Sequence, residues 1–145
     1  VRIPCGRPVD LLVLARSHRA SFVDGVESAR TVQLERAPRI AVRLGQPSDD
    51  LDRVSEVHFT PRLGRSSQAR FVSASGFETA LEQALEDSVT LDSEGRGTWA
   101  PRFATDYAVS GRIEAGGGGT HWCGGIHPRT VRAPNGDELV LHADR

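Results

Sequence analysis

The sequence predicts an α+β domain: a mainly antiparallel sheet, curled or closed into a partial barrel, with one well-defined helix packed on it. Three observations predict it. In most segments apolar residues alternate with polar ones at period two, the mark of half-buried strands. One segment repeats instead at helical spacing, behind a capping box. Short runs of Gly, Pro, Asp and Ser lie between the segments. None is long enough to be a linker between domains, so residues 1–145 read as a single globular domain.

Taken in order, "DLLVLA" (10–15) is a continuous apolar run, suited to a strand buried on both faces. "RASFVDGVESAR" (19–30) suggests a second, weaker helix or helical turn, against which Gly25 counts. "TVQLE" (31–35) alternates, with Val32 and Leu34 inward. "RIAVRL" (39–44) alternates more regularly: Ile40, Val42 and Leu44 face one way, Arg39 and Arg43 the other. "VHFT" (57–60) sets Val57 and Phe59 opposite His58, and "ARFVSA" (69–74) reads as another strand. The helix is "SGFETALEQALEDS" (75–88). Ser75 and Glu78 form its capping box, Phe77, Leu81, Ala84 and Leu85 its apolar face, and Glu78, Glu82 and Glu86 a solvated stripe. "DYAVSGRIE" (106–114) places Tyr107, Val109 and Ile113 on one face. "TVRAPNGDELVLH" (130–142) reads as a hairpin turning at Asn135–Gly136, with Leu139 and Leu141 toward the core.

A chain of this length buries roughly two thirds of its unfolded surface and needs no metal or disulfide for stability. Nothing approaches the roughly 18 apolar residues of a membrane span, and no secretory leader pattern opens the chain. It begins at Val1 without methionine, which points to a chain that is processed, trimmed or cut from something longer. The two cysteines, Cys5 and Cys123, are too few for a disulfide framework, so free thiols and a cytoplasmic setting are expected.

All 18 basic residues are arginine. That excludes Schiff-base chemistry, the phosphate-loop lysine, the kinase strand lysine and Ser-Lys dyads. Net charge is close to zero, so no overall field draws the chain to nucleic acid or an anionic membrane. Residues 1–70 hold 12 arginines against 8 acids, and residues 71–145 hold 6 against 11. This asymmetry implies either mutual neutralisation in the fold or a two-faced surface suited to self-association.

The stretch "GGGGTHWCGGIHPRT" (116–130) holds the candidate chemistry. On a strand, His121 and Cys123 point the same way, and Gly124 and Gly125 allow a reversal that returns His127. Imidazole and thiolate are ligands for zinc or iron, with His142 a fourth ligand if the closing strand runs alongside. The H-x-C-x3-H spacing matches no standard zinc signature, and a plain glycine-rich turn with a half-buried cysteine and surface histidines is the leading account of it. The same residues allow a thiol nucleophile: Cys123 attacks, His142 or another histidine is the base, and Asp144 or Asp106 orients it. Asp49, Asp50 and Asp52 could hold a hard cation, but they lack the EF-hand pattern and suit a turn. The arginines Arg36, Arg39, Arg43, Arg62, Arg65 and Arg70 offer guanidinium forks for phosphate or carboxylate. Aromatic residues for base stacking are scarce beside them, so nucleic acid is not favoured.

The leading expectation is therefore a binding or interaction module with no cofactor. Arg39, Arg43 and Arg70 on a sheet face, with Trp122 on the glycine-rich loop as anchor, would contact a small anionic ligand or a protein partner. The alternative is a metal- or thiol-dependent hydrolase centred on Cys123, with His121, His127 and His142. Whether the chain is an enzyme stays open at this point.

Overall fold

The computed structural model describes residues 7–45, 53–63, 78–114, 120–123, 125–133 and 136–143. The expected strand at 69–74, the helix start at Ser75, the turn residue Asn135, and Cys5, Asp49, Asp50, Asp52, Arg65, Arg70 and Asp144 lie outside them. The fold is mostly β rather than α+β. Its strands form a two-stranded ribbon, a five-stranded sheet and a four-stranded sheet, none closed among the described residues, which replaces the expected single curled sheet or partial barrel. No helix among these residues is long and apolar enough to cross a membrane.

The ribbon pairs β1 (Val9–Val13) with β2 (Ser21–Val26), antiparallel, matching Leu11 to Val23 and Leu12 to Phe22. Leu12, Ala20 and Phe22 pack against the main core, and the Phe22 ring lies 6.3 Å from that of Phe103. The ribbon is thus buried on one side only, and Leu14 beyond it is 39% exposed. Gly25 does not weaken a helix here. It takes φ +61° inside β2 and donates its N–H to Asp10 Oδ1 at 2.9 Å, which anchors the irregular end of the ribbon. Residues 31–35 form no ladder; the isolated bridge His18–Arg36 follows them.

The first sheet runs β5 (Asp87–Thr90), β4 (Arg53–Pro61), β7 (Asp106–Glu114). The free side of β7 is shared: β10 (Thr130–Arg132) pairs with residues 106–108, and β8 (Thr120–Cys123) with residues 111–114. The second sheet runs β6 (Arg96–Trp99), β3 (Ile40–Gly45), β11 (Glu138–Ala143), β9 (Ile126–His127). Only β3 and β11 are parallel within it. Alternation decides which side of each strand enters the core. Ile40, Val42 and Leu44 of β3 meet Val57 and Phe59 of β4 and Tyr107 and Val109 of β7, as their spacing predicts. Phe59 stacks on Trp99 at 4.0 Å, and Trp99 meets Tyr107 edge-on at 4.8 Å, so aromatic rings join the sheets at the centre.

Among the described residues the helix α1 spans Glu78–Ala84, ending four residues before its apolar spacing suggests. Helical pattern loses to strand pairing beyond it. Val89 and Thr90 are β-branched, and Val89 gains a buried place opposite Val57 by extending. The expected hairpin at 130–142 is also corrected. Its two halves pair in different sheets, β10 with β7 and β11 with β3.

Candidate functional site

The outer face of the second sheet is built by the same alternation that fills the core. With Ile40, Val42 and Leu44 inward, Ala41, Arg43 and Gly45 face out, and Arg39, just before β3, is exposed in step with them. On β11 the exposed residues are Glu138, Val140 and His142. Register sets Arg43 between Arg96 on β6 and Val140 on β11. Val140 is 45% exposed. Arg96 has an acid, Glu94 at 3.1 Å. Among the described residues Arg39 and Arg43 make no ion pair. Like charges opposite each other in a ladder repel, so an incoming anion finds this face underneutralised.

The register also places the second half of the glycine-rich stretch. His127 stands directly opposite His142, beside Gly45, on the outward side of the second sheet. Opposed residues of an antiparallel pair have Cβ atoms about 4.5–5.5 Å apart, so two imidazoles share one spot. His121, Trp122 and Cys123 lie on β8, opposite Ile113, Arg112 and Gly111 of the first sheet. Their side chains, like Arg70 and Asp144, lie outside what is described. Asp106 sits opposite Arg132. It is five residues along β7 from Gly111, about 17 Å at strand rise, so it is no orienting group for Cys123. No group of three or more metal-ligating side chains gathers among the described residues.

One polar cluster escapes the sequence reading. Glu56, His58 and Thr60 alternate along β4 on the outer face of the first sheet. Glu86 closes over them: His58 Nδ1 lies 2.8 Å from Glu86 Oε1, and Thr60 Oγ1 donates to Glu86 Oε2 at 2.7 Å. His58 Nε2 lies 3.4 Å from Glu56 Oε2, and Arg112 stands 3.6 Å from the same oxygen. The Ser88 hydroxyl donates to Glu56 Oε1. That bond first, then the charges of His58 and Arg112, hold the Glu56 carboxyl below its usual range against the opposing effect of burial. Glu86 and Glu82 look like a solvated helix stripe in sequence. Instead Glu82 is buried, accepting the Leu63 N–H at 2.7 Å and pairing with Arg62 at 3.5 Å. The signal was present in "EVHFT", where an acid, a histidine and a threonine share one strand face. His58 and Glu56 line neither of the two clefts described below, although Ser88 lines the first, and the bonds of Glu86 and Ser88 tie the α1–β5 link to β4.

The first cleft, about 430 Å³, lies beside β5 and β6 and is lined by Leu14, Ser17, Asp87, Ser88, Trp99 and Arg102 among others. Two of its charges, Asp87 and Arg102, satisfy one another, while Arg16, also on the lining, makes no ion pair among the described residues. Asp87 accepts from Arg102 at 2.8–2.9 Å and from the Trp99 indole at 3.3 Å, and Arg102 also donates to the Leu85 carbonyl. Burial raises the Asp87 carboxyl above its ordinary value, partly offset by Arg102. The second cleft, about 460 Å³, is lined by Arg19 and Arg132 with Pro38, Pro101 and Phe103. No family model, curated protein or solved structure matches this chain.

Proposed function

We propose that the chain is a binding module, and that the outer face of its second sheet receives an anionic ligand or an acidic patch of a protein partner. The observation that carries this reading is the placement of Arg43 opposite Arg96, with Arg39 and Arg43 both exposed and lacking an acid partner among the described residues. Val140 adds an exposed apolar contact at the centre of the face. Guanidinium groups suit such a role because they grip carboxylate or phosphate with paired hydrogen bonds. Arg70 and Trp122 join the reading on sequence grounds, as does the cytoplasmic setting. Retention on a heparin column tests it. The wild-type chain should be held and released by salt. The double variant Arg39→Ser, Arg43→Ser should elute much earlier, and equal elution would sink the proposal.

A second reading draws on the His127–His142 pair, which gives two nitrogen ligands for zinc or iron in a hydrolase centred on Cys123. Elemental analysis of untagged protein decides it. About one metal per chain, lost in both His142→Ala and Cys123→Ala, supports a shared centre. Metal kept in the Cys123 variant removes the thiolate from it.

A further inference from the structure

The geometry points to a second, separate binding site: the cleft between Arg19 and Arg132, which we infer takes a small organic oxyanion bearing a carboxylate or phosphate beside a compact apolar body. The cleft forms where the lead into β2, the approach to β3, residues 101–104 and the end of β10 come together. Its volume, about 460 Å³, falls among those of small-molecule sites. Two guanidinium groups from distant parts of the chain line it, and among the described residues no carboxylate does. Asp106 is the cross-strand neighbour of Arg132, yet it neither lines the cleft nor pairs with that arginine.

Three backbone donors around the cleft are committed elsewhere. Arg19 N–H is given to the Glu35 carbonyl at 2.8 Å, and Ala133 N–H to the Thr105 carbonyl at 3.0 Å. Phe103 N–H is given to the Tyr107 hydroxyl at 2.8 Å. Pro38 and Pro101 have none to give. The charged contacts on offer are the two guanidiniums; of the apolar lining, Pro101 and Phe103 are themselves buried, which leaves Pro38, Ala104 and Ala133 to meet a ligand. A wall of that kind holds an anionic head by its charge and an apolar body by burial.

The test uses the full chain and two probes, phenyl phosphate and benzoate, with the arginine Nε–H resonances read by NMR. Saturable shifts at Arg19 and Arg132 with either probe are expected, and the tighter probe identifies the head group. Arg132→Gln and Arg19→Gln should each weaken binding about tenfold, as loss of a charge-assisted contact does. Both side chains are exposed, so the variants should keep the wild-type amide spectrum. Arg30→Gln, at an exposed arginine in neither proposed site, should leave the shifts at Arg19 and Arg132 unchanged. No saturable shift with either probe, or an equal loss in Arg30→Gln, would overturn the inference.

Discussion

Gly97 lies where β6 passes close to β5. A Cβ there would stand 2.6 Å from Val89 Cγ1 and 2.9 Å from the Thr90 carbonyl oxygen. The carbonyl belongs to a laddered strand and has little room to give. Gly97→Ala should therefore lower stability by about 1–3 kcal/mol, the usual range for overpacking, read as a drop in the urea midpoint. At Gly111 the obstacles are side-chain atoms of Ile126 and Val54, with no backbone among the nearest, so Gly111→Ala should cost less. The reverse order would show that the sheets separate more readily at the β5–β6 corner than packing implies. Ser88 permits a pH prediction. Glu56 is held below its ordinary value of 4.5, so it contributes stability above that pH and loses it as pH falls through the lower folded value. Ser88→Ala removes the first cause of the shift. The stability gap between wild type and variant should be open near neutrality and close on acidification. A gap that widens in acid would contradict the assignment. Single residues were legible wherever alternation was strict: Arg43 outward, Val57 and Phe59 inward. Glu82 and Glu86 were not, because their partners, Leu63, His58 and Thr60, are distant in sequence.

Elements followed their patterns less closely than residues did. The α1 segment carries helical spacing past Ala84, yet the strand that follows captures its end. What fixes α1 to the sheet is Glu82, whose carboxylate accepts the buried Leu63 N–H at the end of β4. Glu82→Ala should cost about 1–3 kcal/mol, the penalty for a stranded buried donor. Glu82→Gln keeps an acceptor and should recover most of it. Equal losses would assign the cost to charge, through Arg62, and not to the hydrogen bond. The apolar run at 10–15 and the segment at 130–142 misled for a common reason. Periodicity reports that a strand has a buried side, not which strand it joins or whether its other side is covered. The histidine pair shows the same limit. "IHP" and "LHA" are unremarkable locally, and only the β9–β11 register brings their histidines together.

At the scale of the molecule, the parallel pairing of β3 with β11 does most to hold the second sheet, since β11 lies between β3 and β9. A chain ended at Gly136 lacks that strand and exposes the inward face of Val42 and Leu44. It should lose the near-ultraviolet signal of Trp99 and the dispersed amide spectrum of the full chain. Native dispersion in the shortened chain would show that the first sheet folds without the second. None of this topology was legible in the sequence, where residues 40–45 and 138–143 carry similar alternation but nothing that says they are neighbours. The charge asymmetry between the halves of the chain is partly resolved for the same reason: β3 of the arginine-rich half and β11 of the acidic half lie side by side. The pairing also sets a timetable on the ribosome. The β3 strand emerges roughly a hundred residues before its parallel partner, a wait of about 5–20 s at ordinary rates of translation. During that interval its edge is open to any passing extended chain, and a holding chaperone that covers the nascent β3 would raise the yield of native protein.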